Sequence, residues 1–189
     1  MVVVNLKKYR RLLVVMIIVM IVGAAASSTN WFLKIIYPIH YKSLVEKYAN
    51  EYDLDPFLVA AIIRTESKFN EKAKSPKEAK GLMQIAPITG EWAAKELEIN
   101  DYTEDMLYIP EINIRIGCWY IDRLRGEFDG RLQLILAAYN GGSGNVNKWL
   151  NNPEYSQDGV TLKEIPFWET RAYVDKVLKS FKIYSILYR

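Results

Sequence analysis

The chain has 189 residues, with 25 Lys or Arg against 22 Asp or Glu, a single His and a single Cys, for a formal net charge of +3. Residues 1–34 hold five of the bases (Lys7, Lys8, Arg10, Arg11, Lys34) and no acid, because the first acid is Glu46, so residues 35–189 carry 20 bases against 22 acids, a net −2. That argues against nucleic acid as the main partner, since the globular part lacks the broad positive field a phosphate backbone needs, and one Cys with one His exclude a disulfide framework and a Cys/His zinc site within one chain.

Lys7-Lys8-Tyr9-Arg10-Arg11 precedes Leu12–Leu33, 22 residues without a charge. As a helix this run is about 33 Å long, close to the hydrocarbon thickness of a bilayer. With the bases on its N-terminal side, the short stub stays in the cytoplasm and everything after the run is exported. Two readings stay open. In the first, the run is a signal anchor, with Trp31 and Phe32 at the interface, and the protein is a single-pass membrane protein whose domain lies on the extracytoplasmic side. In the second, it is a secretory signal peptide with Leu12–Val22 as its apolar region, cleaved near Ala24-Ala25-Ala26. The sequence therefore divides into 1–34, a basic stub with an anchor or signal peptide, and 35–189, one domain with a real core.

Tyr41–Tyr52 places apolar or aromatic residues at 41, 44, 45, 48, 49 and 52, a helical stripe. Asp55-Pro56 reads as an N-cap with proline at the first helical position. The helix it opens, Pro56–Lys68, carries the almost continuous apolar run from Phe57 to Ile63, which predicts burial nearly all round. Residues 69–80 form a polar loop around Ser75-Pro76. Gly81–Ala86 is a short apolar piece with room for a minor β element, and Pro87–Leu97 is helical. Pro110 opens a long helix to about Arg125, in which Cys118 reads as a small buried hydrophobe. Leu132–Tyr139 ends at the Gly141-Gly142-Ser143-Gly144 turn. Residues 151–166 are loop, with turn signals at Asn151-Asn152-Pro153 and Asp158-Gly159. The last helix runs from Phe167 to Tyr188. The class is mostly α, and the 13 Tyr and 5 Trp suit both a core and stacking on sugar rings.

Glu66 is the most informative position. It ends a helix whose preceding turns are Leu58-Val59-Ala60-Ala61-Ile62-Ile63, so its carboxyl is partly desolvated, which raises its pKa and keeps it protonated near neutrality. A neutral carboxylic acid is what protonating a glycosidic oxygen requires. Position alone favours the plainer reading, a helix-end glutamate paired with Arg64 or Lys68.

The company of Glu66 reverses that preference. Glu66-Ser67 is followed by Ser75-Pro76, then by Gly81-Leu82-Met83-Gln84-Ile85, by Ala138-Tyr139-Asn140-Gly141-Gly142 and by Ile165-Pro166-Phe167-Trp168-Glu169-Thr170-Arg171-Ala172-Tyr173-Val174. In these blocks, their order and their spacing, residues 38–188 resemble the soluble lytic transglycosylase (SLT) domain family, related in fold to goose-type lysozyme. The resemblance implies a mostly α, lysozyme-like α+β domain with a cleft. It implies Glu66 as catalytic acid/base and Ser75, Gln84, Tyr139 and Glu169 as substrate-binding residues. Ser75 would hydrogen-bond near the reacting sugar, although Ser75-x-x-Glu78 also fits a capping box. Gln84 would line the cleft, Tyr139 would bring its hydroxyl near the catalytic carboxyl, and Glu169 would hold a saccharide, although a first-turn glutamate also suits the helix dipole. Met83 reads as core before sugar contact, Asn140 as a turn residue, and Tyr173, one turn after Glu169, suits core and cleft equally. Where many members carry methionine two residues after the glutamine, this chain has Ala86, which bears on subsite preference and not on the chemistry.

Hydrolytic glycosidases generally use two carboxylates; the family pattern supplies one in the reactive position. The resemblance therefore implies non-hydrolytic cleavage of the MurNAc-β-1,4-GlcNAc bond of peptidoglycan, leaving 1,6-anhydroMurNAc ends, with no metal and no cofactor. The expected partners are peptidoglycan glycan strands and, through the N-terminal helix, the membrane, and a monomer is expected. Two other readings stay open. One is a hydrolytic lysozyme (muramidase) on the same fold, whose second carboxylate would come from Glu71, Glu78 or Glu169. The other is a catalytically silent glycan-binding or assembly module.

Overall fold

The computed structural model describes residues 13–18, 20 and 31–189. They fall into two compact units, one up to Pro38 and one from Ile39 to Arg189. In the first, residues 13–18 and 31–36 are helical, and the consecutive apolar side chains from Leu13 to Ile18 are all exposed, which covers every face of the turn. Among the described residues no helix is long and apolar enough to cross a membrane. Most of Leu12–Leu33, with the Ala24-Ala25-Ala26 site, lies outside the described residues, so the anchor and signal-peptide expectations rest on the sequence.

The second unit is helical, and among the described residues it contains no strand. Its elements are α1 (Lys42–Glu51), α2 (Pro56–Ser67), α3 (Pro87–Glu96), a 3-10 helix (Glu104–Tyr108), α4 (Pro110–Glu127), α5 (Leu132–Gly141), α6 (Ser143–Leu150) and α7 (Trp168–Tyr188). The starts of α2, α3 and α4 are written in the sequence, since each has proline in its first turn, where the missing N–H is not needed. Asp55 caps α2 by accepting the Phe57 N–H at 2.8 Å. Leu58 to Ile63 are buried without a break, as the unbroken apolar run predicts. That makes α2 the central element: it packs chiefly on α7 and also on α1, while α7 also covers α5. The long α4 crosses α1, α3 and α5, with Cys118 buried in it.

Three features depart from the sequence reading. Residues 143–150 form α6, where the sequence offers only the tail of a glycine turn. Gly142, at φ +85°, both ends α5 and starts α6, and Val146, Trp149 and Leu150 are buried. A 3-10 turn at Glu104–Tyr108 buries Leu107. The expected β element shrinks to two isolated bridges, Lys74 with Lys80 and Lys80 with Ile85, which hold the 73–85 loop closed.

Two local conformations shape the site. At the end of α2, Lys68 and Phe69 both take left-handed backbone (φ 52° and 65°), a conformation that costs a side-chain-bearing residue about 1–2 kcal/mol. The fold sustains it because Phe69 is thereby buried, its ring edge-on to His40 at 5.4 Å. At the start of the apolar piece, Gly81 has φ +78°, and a Cβ there would fall 2.1 Å from the Leu107 carbonyl oxygen. Gly81→Ala is therefore expected to destabilise the domain by about 3 kcal/mol, from the left-handed backbone and the clash with fixed main chain together. Urea unfolding of the two proteins checks it through the midpoint.

Candidate active site

The end of α2, the 73–86 loop, the end of α5 and the start of α7 surround a cleft of about 790 Å³. Glu66 lines it from α2, Ser75, Lys77 and Ala79 from the loop, Gln84 and Ala86 from the approach to α3, Tyr139 to Gly141 from α5, and Phe167, which caps α7, with Trp168 to Thr170 from its first turn. Glu66 is only partly exposed, and burial pushes its pKa from the usual carboxylate range up to about 7. The Tyr173 hydroxyl interacts with the carboxyl and opposes that rise, but falls short of a full hydrogen bond, so the hydroxyl is buried without a partner. Neither Arg64 nor Lys68 contributes to this balance. The plain reading of Glu66 as a salt-bridged helix end therefore loses its support.

Two tyrosines close the interior side of Glu66. Burial and then the nearby Glu66 charge raise the pKa of both Tyr139 and Tyr173 well above 10, so both stay neutral hydroxyls. The Tyr139 hydroxyl donates to the Met83 carbonyl at 2.9 Å, and its ring lies 5.5 Å from that of Tyr120. Both hydroxyls stand near the Glu66 carboxyl, with that of Tyr139 anchored on the main chain.

The 73–86 loop is held by side chains that bond to its backbone. Ser75 Oγ accepts the N–H groups of Lys77 (3.2 Å) and Ala79 (3.0 Å), which leaves its own hydroxyl proton for the cleft. No helix follows Ser75, and Glu78 pairs with Lys74 at 2.6 Å, so the motif is a tight turn and not a capping box. Gln84 spends its amide hydrogens on the carbonyls of Ala73 (3.1 Å) and Gly81 (2.9 Å) while lining the cleft. Ser67 Oγ donates to the Leu82 carbonyl at 2.7 Å, tying the residue after Glu66 to the loop. Beneath it Asn113, fully buried on α4, accepts the Met83 N–H (2.7 Å) and donates to the carbonyls of Lys80 (2.9 Å) and Leu107 (2.7 Å).

The family model described as "Transglycosylase SLT domain" matches residues 43–160. The chain belongs to this family. It is 41% identical over 144 residues to the soluble lytic murein transglycosylase of Salmonella typhimurium, a match covering 75% of this chain and 22% of that protein. It is 30% identical over 169 residues to the membrane-bound lytic murein transglycosylase C of Yersinia pestis, covering 76% of this chain and 46% of that one. The 70-kDa soluble lytic transglycosylase of Escherichia coli superposes with a TM-score of 0.72 at 34% identity, over 87% of this chain and 27% of that structure. The chain thus spans less than half the length of each of these relatives.

In this SLT domain the residues expected at the site divide into three groups. Glu66, Ser75, Gln84, Tyr139 and Glu169 all line the one cleft, with Glu169 exposed on the first turn of α7. Met83 is placed differently. Its side chain is fully buried against Gly117, where a Cβ would meet its sulfur at 2.2 Å, so it serves the core and offers the site only its main chain. Tyr173 is likewise buried, forming the floor under Glu66 and not the wall of the cleft. Of the carboxylates nominated for a hydrolytic reaction, Glu71 accepts the Tyr41 hydroxyl at 2.7 Å and Glu78 pairs with Lys74, and neither lines the cleft; Glu169 does. Sequence reasoning missed Ser67 and Asn113. A signal for Asn113 existed, because Ile116 and Gly117, one turn on, are buried, which makes it a polar residue on a core-facing stripe.

Proposed function

We propose that this chain is a peptidoglycan lytic transglycosylase, with Glu66 as its single acid/base and Ser75, Gln84, Tyr139 and Glu169 contacting the glycan. The observation that carries the reading is the Glu66 carboxyl itself: desolvated, with a pKa near 7, and opening into a cleft with the volume of a typical ligand site. The names of the relatives, lytic murein transglycosylases, point the same way. Neutral Glu66 gives its proton to the glycosidic oxygen as the C1–O bond breaks, and the substrate's own acetamido group stabilises the anomeric centre. Glu66, now a carboxylate, takes the proton of the muramoyl 6-hydroxyl while that oxygen attacks C1, which restores the acid and closes the 1,6-anhydro ring. An intramolecular nucleophile outcompetes water because its effective molarity reaches about 10⁵ M or more.

The same proposal places the domain on the outer side of the cytoplasmic membrane, held there by the apolar segment around Leu12–Leu33. Support comes from the basic cluster that precedes the run and from the absence of any charge along it. Digestion of purified peptidoglycan with the protein, followed by mass spectrometry of the released muropeptides, tests the reaction. Ends lighter by one water are the expected product. Reducing ends alone would establish a hydrolase and leave Glu169 as the second carboxylate to test by substitution.

A further inference from the structure

The first turn of α7 carries a side chain that the proposed chemistry does not use. Trp168 is 79% exposed, more than any other large hydrophobic side chain among the described residues, and it lines the same cleft as Glu66. Its surroundings are rigid. Phe167 meets the Trp149 ring edge-on at 5.0 Å. Thr170 is buried beside Gly141, and Arg171 donates to the Ile165 carbonyl at 2.7 and 3.0 Å. The backbone on both sides of Trp168 is thus fixed to the core while the indole is held out in water. A large aromatic surface presented that way gains most when a flat apolar partner covers it. From the α3 side Ala86 contributes only a methyl group to the cleft, and the indole of Trp168 is the largest apolar side chain that lines it.

Resting on the reading of the cleft as a glycan site, we infer that Trp168 is the stacking platform for one N-acetylhexosamine ring of the bound strand and so decides how tightly short strands are held. The indole takes the C–H face of the ring. Neighbouring polar groups of the cleft, Glu169 and Lys77 among them, are left for its hydroxyl and acetamido edges. Because the contact is to the sugar and not to the stem peptide, it forms with a peptide-free oligosaccharide.

The test uses the full chain in detergent with Glu66→Gln, titrated calorimetrically with the β-1,4-linked tetramer of N-acetylglucosamine while tryptophan emission is followed. The Glu66→Gln protein is expected to bind with a blue shift. Adding Trp168→Ala is expected to weaken binding about tenfold, the scale of one well-packed aromatic contact, and to abolish the shift. Trp168→Phe is expected to keep the affinity within about threefold while losing the shift, since a ring is retained. Equal affinities in all three proteins would overturn the platform. Failure of the Glu66→Gln protein to bind the tetramer, when the parent still forms anhydro ends, would overturn it too and leave the reaction standing. Trp168-dependent binding without anhydro ends would instead overturn the reaction and leave the platform standing.

Discussion

Glu66→Gln is expected to lower the rate of peptidoglycan cleavage by about 10³-fold or more, because both proton transfers of the proposed cycle pass through this one group. Glutamine keeps the shape and can donate a hydrogen bond, but it can neither give up a proton to the leaving oxygen nor take one from the 6-hydroxyl. Saccharide affinity should stay close to that of the parent, which separates loss of chemistry from loss of fold. In the parent, the reactive form before cleavage is the neutral acid, so kcat/KM should be level below pH 7 and fall about tenfold per unit above it, as Glu66 ionises at about 7. The flanking tyrosines are raised well above 10 and do not titrate in that range. A rate that persists undiminished at pH 9, or a Glu66→Gln protein as active as the parent, removes the acid/base role.

The same shift sets a stability trend with a definite sign. The folded-state pKa of Glu66, about 7, lies above the ordinary glutamate value of 4.5. Between those two pH values the folded protein keeps a proton that the unfolded chain releases, so stability is fully present below pH 4.5 and falls as pH rises through 7. The loss accumulates between those values and, once complete above pH 7, amounts to about 3 kcal/mol. Glutamine carries no such penalty. The Glu66→Gln protein is therefore expected to melt above the parent at pH 8 and level with it at pH 4, the opposition between activity and stability expected where a desolvated carboxyl is kept for the chemistry.

The fold was legible wherever burial and helix starts are encoded locally. The run from Leu58 to Ile63, the Asp55-Pro56 cap and the prolines at 87 and 110 each determine their element within a few residues, and α2, α3 and α4 stand where those signals put them. What escaped depends on partners far along the chain. α6 has only three buried residues, Val146, Trp149 and Leu150, in a stretch rich in glycine and asparagine, and it exists because α5 gives them a surface to cover. Met83 belongs to a block of cleft residues, yet Gly117, more than thirty residues on, opens the space that draws its side chain inward. Glu66, Ser75, Gln84, Tyr139 and Glu169 were recognisable together because their blocks sit in a fixed order. Asn113 was not, since its role is to bond to other residues' backbone, and backbone carries no sequence.

Asn113→Ala should accordingly be among the most damaging single changes outside the cleft. It strands the Met83 N–H and the Leu107 carbonyl in a site with no access to water, each worth about 1–3 kcal/mol when left unsatisfied, and removes one of two bonds to the Lys80 carbonyl, which still accepts the Ile85 N–H, for a total loss of about 4 kcal/mol. Asn113→Asp discriminates between lost volume and lost hydrogen bonds. It keeps the acceptor for Met83 but turns an oxygen toward the two carbonyls, so at pH 7 it should be at least as unstable as the alanine variant. Protonation restores one donor, so its stability should recover on going to pH 5, whereas that of Asn113→Ala should gain nothing from the residue itself. Chemical unfolding at the two pH values separates these outcomes. Activity should follow, because the main chain that Asn113 holds is the one that receives the Tyr139 hydroxyl and leads directly into Gln84. Equal unfolding midpoints for Asn113→Ala and the parent would mean that the loop beside Glu66 is held by Ser67, Ser75 and Gln84 alone.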